Sequence, residues 1–206
     1  MNYRSARWDP GFTPQDVTAL ASITQGSVLV AGDPELADEV PGPDTTILHE
    51  PAIAVGATNP ADVQGAVRFS SEFRLPLAVM VPGHRAPSSA NDGVLITTTR
   101  MNQIYLDLRG RTAIARAGAL WSDVVDYAAE LGLAPLVPSY PGTGIVGRSY
   151  GWNAGHVRSI EVVAATGHLI HVTPASDPRS FELLCESDSG DVGLGVITAM
   201  EFILFR

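Results

Sequence analysis

Runs of apolar residues separated by short polar segments dominate the first half of the chain. Consecutive apolar positions predict strands at 52–57, 77–81 and 94–98, and the first two have the unbroken pattern of strands buried on both faces. Asn59-Pro60 lies between those two strands and predicts a helix start, with a cap residue followed by proline at the first helical position. The predicted helix carries apolar or small residues on one face: Val63, Ala66, Val67 and Ser70. The strand–helix–strand order predicts parallel strands joined by a right-handed crossover.

The second half of the chain has the shorter, turn-separated runs of an antiparallel sheet. Segments 104–107 and 112–117 predict a pair of strands around a turn at 108–111. Segments 160–165 and 168–172 flank Thr166-Gly167, which is a hairpin signal. Residues 195–204 predict a final strand.

Helix caps mark three further helices. Thr13-Pro14 followed by Asp16 predicts a short helix whose apolar residues run from Val17 to Ile23. Asp177-Pro178 opens another. A helix capped by Ser122 is expected to run towards Gly132, and its apolar face is formed by Val124, Val125, Ala128 and Leu131.

The order of these elements predicts an α+β protein. A small lobe containing the strand–helix–strand unit is expected at about 27–98, and a larger, mostly antiparallel sheet flanked by helices at about 99–206. Residues 1–26 form an N-terminal arm with its short helix, and residues 27–206 form the domain. There is no internal repeat.

Composition and charge exclude several classes of partner. The 206 residues carry a formal net charge of -9, so the surface repels nucleic acids and anionic membranes. No apolar stretch is long enough for a bilayer, and the first residues lack the apolar core of a signal peptide. These features predict a soluble cytoplasmic protein without a membrane partner.

The single cysteine limits disulfide and metal chemistry. Cys185 is the only cysteine in the sequence, so an internal disulfide and a cysteine-based metal site are both excluded. We expect it to be a small, partly buried apolar residue. No metal site is predicted.

An ordered series of segments carries a family resemblance from about Ser27 to Arg206. The segments include Pro51-Ala52-Ile53-Ala54-Val55, Leu75-Pro76-Leu77-Ala78-Val79, Pro82-Gly83-His84, Asp92-Gly93-Val94-Leu95-Ile96, Gly118-Ala119-Leu120-Trp121, Gly132-Leu133-Ala134, Gly142 to Gly147, and Gly195-Val196-Ile197-Thr198. Together they resemble the FAD-binding (PCMH-type) domain of the vanillyl-alcohol-oxidase/berberine-bridge oxidoreductases. The resemblance implies that domain's fold and FAD as cofactor.

The resemblance also implies a cofactor site. Gly83 can take the positive φ of a loop that points backbone N–H groups at a diphosphate. In similar proteins the histidine at the position of His84 bonds covalently to the flavin. Without the resemblance, the residue type alone favours a His84 that caps a turn through ordinary hydrogen bonds. The implied cofactor-binding residues are Gly83, His84, Arg85, Ser88, Gly118, Gly142, Gly144, Val146, Gly147 and, through its main chain, Val196.

Several positions depart from the family pattern. A glycine-rich stretch that wraps the cofactor in relatives is missing after Gly147, and Pro82 removes one N–H donor from the loop. Tyr140 stands where some relatives carry a second flavin-linked cysteine, so a second link is excluded. A glycine-rich run of the relatives is replaced here by an acidic segment that contains Glu186, Asp188 and Asp191. This segment is interpreted either as a solvated acidic loop or as a source of oxygen ligands for a cation.

The family's substrate-binding domain has no counterpart in this sequence. The flavin ring normally lies between the two domains, so the resemblance implies a flank that a second copy or a partner subunit covers.

Three functions stay open at this stage. The first is a flavin-dependent oxidoreductase acting on an unknown small molecule, with FAD held by this domain. The second is a flavin-free relative acting as a non-redox cyclase or isomerase, or as a small-molecule-binding module. Its acid–base candidates are led by His84 and Tyr150, and include Tyr140, His156, Glu186 and Asp188. The third is a partner subunit of a full-length relative.

Overall fold

Two sheets and five helices form the part of the chain that the computed structural model describes, which is residues 11–40, 49–83, 90–136, 154–186 and 194–206. The helices are α1 (Pro14–Ile23), α2 (Leu36–Glu39), α3 (Pro60–Phe73), α4 (Trp121–Ala129) and α5 (Pro178–Glu186). The strands are β1 (Ser27–Val30), β2 (Ile53–Gly56), β3 (Leu77–Met80), β4 (Val94–Thr97), β5 (Ile104–Asp107), β6 (Thr112–Arg116), β7 (Ala134–Pro135), β8 (Val157–Val163), β9 (Leu169–Val172) and β10 (Val196–Phe205). The α+β class is confirmed.

The smaller sheet has the strand order β1-β2-β4-β3. Strands β2 and β3 are both parallel to β4, while β1 is antiparallel to β2. The predicted parallel arrangement is therefore confirmed, but β4 lies between the two strands that α3 connects. The expectation that β3 is buried on both faces is wrong, because β3 is at the edge of this sheet and Leu77 is 37% exposed.

Helix α3 covers one face of the smaller sheet, as its sequence pattern predicts. The Asn59 side chain accepts hydrogen bonds from the backbone N–H groups of Ala61 and Asp62, at 2.8 and 3.2 Å. The four residues predicted for its inner face are all buried: Val63, Ala66, Val67 and Ser70. The core beneath this helix also receives Leu20 of α1, whereas Ile23 is exposed.

Asp62 connects the start of α3 to the turn between α1 and β1. Its carboxylate accepts hydrogen bonds from the backbone N–H groups of Gln25, Gly26 and Thr58, and from the Thr58 hydroxyl, at 2.7–3.1 Å. Burial favours the neutral acid, but these hydrogen bonds outweigh burial and lower the pKa of Asp62. A single carboxylate at the start of α3 therefore holds two connecting segments together.

The larger sheet is antiparallel, with the order β5-β6-β10-β8-β9 and with β7 paired to the end of β10. The predicted β5–β6 and β8–β9 pairs are confirmed. Helices α4 and α5 pack on one face of this sheet, and Cys185 of α5 is buried in that core. The other face exposes Tyr105 and Ile114.

Two details of α4 differ from the sequence prediction. The helix begins at Trp121, so its cap position is Leu120, two residues before the expected cap Ser122, and Leu120 makes no side-chain cap. The Ser122 hydroxyl instead contacts the Asp123 carboxylate at 3.3 Å. Because the helix ends at Ala129, Leu131 lies beyond it and is 45% exposed. Gly132 has a φ of 67°, which suits the expected helix stop.

The acidic segment after β1 contains the short helix α2. No helix in the described ranges is long and apolar enough to cross a bilayer. Among the same residues, no group of three or more His, Cys, Asp or Glu side chains is arranged to hold a metal ion.

Candidate functional site

The carboxyl end of β3 leads directly into the turn that contains Gly83. Met80 is in register with Thr97 of β4, and the backbone N–H of Thr98 donates to the Met80 carbonyl at 3.1 Å. Gly83 follows two residues beyond Val81, with a φ of 68° and an exposed backbone. An exposed glycine with positive φ after a parallel strand fits the backbone anion site that the sequence predicts.

Gly118 lies where two backbone segments cross. Its N–H donates to the Met101 carbonyl at 2.8 Å, and a Cβ at this position would overlap with the carbonyl oxygen of Thr98. The structure therefore explains this glycine by close backbone packing next to the end of β4. Its predicted contact with a cofactor stays a prediction.

Val196 begins β10 and joins the larger sheet to the smaller one. It is 5% exposed, is in register with Val163 of β8, and packs in the core beneath α3. The preceding Gly195 has a φ of 133°, and a Cβ there would overlap with the Val163 carbonyl oxygen. The start of β10 is thus held tightly against β8.

These three positions lie along one seam between the sheets. The Thr98 backbone contacts the end of β3 on one side and Gly118 on the other. Next to Gly118, the Ala117 N–H donates to the carbonyl of Thr198 at 3.0 Å, two residues after Val196. The structure brings the described members of the predicted site to one region.

The remaining predicted site residues lie outside the described residues. The cofactor-binding candidates among them are His84, Arg85, Ser88, Gly142, Gly144, Val146 and Gly147. The acid–base candidates Tyr140 and Tyr150 also lie outside the described residues. Asp188 and Asp191 of the acidic loop also lie outside them, as does the side chain of Glu186. Their roles stay predictions.

His156 lies beside the opposite end of β10 from Val196. Its ring is edge-on to Phe205 at 5.2 Å, and it lines an apolar pocket with Trp121, Leu136 and Phe202. Phe205 is nine residues from Val196 on the same strand, which separates them by about 30 Å. Among the described residues, Trp121 Nε1 in this pocket has no hydrogen-bond partner.

A polar cluster near the seam was missed by the sequence prediction. Arg116 of β6 forms an ion pair with Glu161 of β8, and the Thr198 hydroxyl donates to the same carboxylate at 2.8 Å. Thr198 falls at a break in the β8–β10 register, as is typical of a β-bulge. No local sequence pattern predicts that these residues meet, because they lie on three strands that are far apart in sequence.

A second polar cluster lies over the carboxyl ends of β2 and β4. The Glu39 carboxylate pairs with Nη1 and Nη2 of the Arg100 guanidinium group, at 2.9 and 2.7 Å. It also accepts hydrogen bonds from the Thr97 and Ser27 hydroxyls. Burial favours neutral Glu39, but the hydrogen bonds from Arg100 and Thr97 outweigh it and lower its pKa. A Cβ on Gly56 would overlap with side-chain atoms of this cluster, so the side chains of the cluster would have to shift to accommodate it.

Comparison with known proteins identifies the family. The family model described as FAD binding domain matches residues 51–173. The chain belongs to this FAD binding domain family. The match confirms the resemblance to vanillyl-alcohol-oxidase and berberine-bridge-like FAD oxidoreductases, and it confirms FAD as the cofactor of the family to which the chain belongs.

The curated relatives of this FAD binding domain are FAD-linked oxidoreductases and a dehydrogenase. The chain is 28% identical over 172 residues to (R)-6-hydroxynicotine oxidase of Paenarthrobacter nicotinovorans, covering 77% of this chain and 37% of the relative. It is 26% identical over 196 residues to the uncharacterized FAD-linked oxidoreductase YvdP of Bacillus subtilis, covering 88% and 43%. It is 28% identical over 187 residues to a D-lactate dehydrogenase of Archaeoglobus fulgidus, covering 82% and 42%. The chain thus spans about two fifths of the length of these relatives.

Solved structures share the fold. The 6-hydroxy-D-nicotine oxidase of Arthrobacter nicotinovorans matches with a TM-score of 0.78 and 24% identity, over 89% of this chain and 43% of that protein. A xylooligosaccharide oxidase of Myceliophthora thermophila matches with a TM-score of 0.78 and 18% identity, over 92% and 43%. At these identities the similarity establishes the fold alone.

Proposed function

We propose that this chain binds FAD at the seam between its two sheets and forms the cofactor-holding part of an oxidoreductase that acts on a small molecule. The observation that carries the proposal is the exposed, positive-φ Gly83 at the carboxyl end of β3, inside the segment matched by the FAD binding domain. Bound FAD supplies the redox chemistry, and the protein supplies the binding and orientation of the flavin.

The described residues support this site in three ways. Gly83 is exposed and has a positive φ, so its backbone N–H can serve a diphosphate without a basic side chain, which suits an acidic protein. The carboxyl ends of parallel strands are where α/β sheets usually bind ligands. The nearby Glu39 carboxylate is neutralised by Arg100, so it adds little repulsion towards an anion.

The first experiment is an absorbance spectrum of the purified protein, followed by titration of the colourless fraction with FAD. We expect flavin bands and saturable binding. Retention of these bands after acid precipitation, and their loss from the precipitate of His84→Ala, would establish the covalent link that the resemblance implies. A chain that neither carries nor binds FAD contradicts the proposal.

A substitution tests the position of the site. Gly83→Val places a β-branched residue at a φ of 68° and is expected to weaken FAD binding about tenfold or more. The matched control is Gly32→Val, because Gly32 also has a positive φ of 106° but lies at the opposite edge of the same sheet. Equal losses of affinity in the two variants would place the diphosphate elsewhere.

The flavin-free alternative is not favoured by the family match, since the matched relatives are FAD-linked. The homodimer or partner subunit expected from the sequence stays a proposal, and analytical ultracentrifugation at several concentrations tests it. The cytoplasmic location also stays a proposal, which fractionation of the producing cells tests.

A further inference from the structure

A pair of side chains on α3 contacts the larger sheet through a single carbonyl group. Gln64 Nε2 donates to the Gly167 oxygen at 2.8 Å, and Arg68 Nη2 donates to the same oxygen at 3.0 Å. The two donors are four residues apart, so they lie on the same face of the helix. They connect the helix that covers the smaller sheet with the tip of the β8–β9 hairpin.

The hairpin tip is shaped to receive this contact. The Gly167 N–H donates to the Ala164 carbonyl at 2.8 Å, and the Ala164 N–H donates to the His168 carbonyl at 2.9 Å, which closes a tight turn. Gly167 has a φ of 76°, and a Cβ there would overlap with the Arg68 side chain. Glycine is therefore required both by the turn and by the approach of Arg68.

The position of the hairpin tip determines the position of Val196. Val163 lies one residue before the turn, is in register with Val196, and packs with it against the core beneath α3. The Val163 carbonyl also contacts Gly195 so closely that no side chain fits between them. A shift of the tip along α3 would consequently move the start of β10 relative to the β3 turn that carries Gly83.

We infer that Gln64 and Arg68 are positioning residues, which hold the hairpin tip so that the main chain at Val196 and the Gly83 turn face one another across the cofactor site. This inference rests on the proposed function. Neither side chain needs to contact FAD. Their contribution is preorganisation, because a site whose walls are already in place binds its ligand without an ordering cost.

The test replaces both donors with apolar side chains that cannot donate a hydrogen bond. In Gln64→Leu/Arg68→Met we expect faster amide hydrogen exchange at residues 164–168 and 196–198 of the FAD-free protein, and FAD affinity weakened about tenfold. Arg68→Lys keeps one donor and is expected to restore most of the affinity. It also serves as the milder variant if the double variant does not fold.

The control is Asp62→Asn, which removes contacts of the same helix within the smaller lobe and away from the hairpin. We expect it to lower the melting temperature without changing FAD affinity. Unchanged exchange at 196–198 in the double variant would overturn the inference, as would equal FAD affinity in the double variant and the control. Failure of the unchanged chain to bind FAD would overturn the proposed function, and with it the cofactor role of Gln64 and Arg68. Hydrogen exchange would still show in that case whether these two side chains hold the β8–β9 hairpin in place.

Discussion

Individual polar residues in this protein stabilise connections between elements. Asp62 is the clearest case, since its carboxylate accepts hydrogen bonds from two neighbouring connections. Glu39 joins α2 to the end of β4 in a similar way. Both carboxylates have lowered pKa values, because the hydrogen bonds they accept favour the charged form more than burial disfavours it.

Replacing Asp62 tests this role. Asp62→Asn is expected to reduce the free energy of unfolding by about 2 kcal/mol, because an amide presents a donor to backbone N–H groups that need an acceptor. Chemical denaturation at pH 7 measures the loss. Asp126→Asn is the control, since Asp126 is exposed on α4. Equal stability of the two variants would contradict the role of Asp62.

The same residue makes a prediction about pH. The folded pKa of Asp62 lies below its unfolded value, so its stabilising contribution is present above pH ~4 and is lost as the pH falls through the folded pKa. Denaturation curves between pH 7 and pH 3 should therefore show a smaller acid-induced loss of stability in Asp62→Asn than in the unchanged chain.

Sequence reasoning at the residue scale succeeded where the chemistry is local. Asn59 caps α3 as predicted, because its side chain bonds to backbone groups two and three residues away. Ser122 was wrongly predicted as a cap, since Leu120 occupies that position. The Glu39–Arg100 pair spans 61 residues, and no local pattern reports such a contact.

At the scale of elements, periodicity predicted most strands and helices but not their neighbours. The apolar run of β4 indicates a strand, yet nothing in it shows that β4 lies between β2 and β3. The two-residue strand β7 is too short to produce a pattern. The small helix α2 has only four residues, which is too short to show a helical period.

The crossing of two connecting segments at Gly118 gives a prediction at this scale. Gly118→Ala would place a Cβ on the Thr98 carbonyl oxygen, and we expect a loss of about 3 kcal/mol in stability because backbone on both sides must move. Gly155→Ala is the matched control, since a Cβ at Gly155 meets nothing within 4 Å. A normal melting temperature for Gly118→Ala would show that the crossing is less tight than described.

For the whole molecule, the two lobes share side chains across their boundary. Val163 and Val196 of the larger sheet are buried in the core of the smaller one, and Val79 of β3 contacts both cores. The sequence predicted a parallel strand–helix–strand unit followed by a mostly antiparallel sheet. It did not predict this sharing, because packing between sheets depends on positions distant in the chain.

A ligand at the seam should therefore stabilise both lobes together. With FAD at about 100 times its dissociation constant, linkage predicts a gain of about 2.7 kcal/mol and a melting temperature higher by roughly 5–10 °C. Differential scanning calorimetry should show one transition that moves with FAD concentration. Two transitions, of which FAD moves only one, would show that the lobes unfold separately.

The place of β10 in the sequence has a consequence for biosynthesis. This strand follows all other described strands, lies at the centre of the larger sheet, and supplies Val196 to the smaller core. Neither core is complete on the ribosome until residues 196–205 have left the exit tunnel. Until then the apolar surfaces of the other strands stay partly exposed, which makes the nascent chain prone to aggregation.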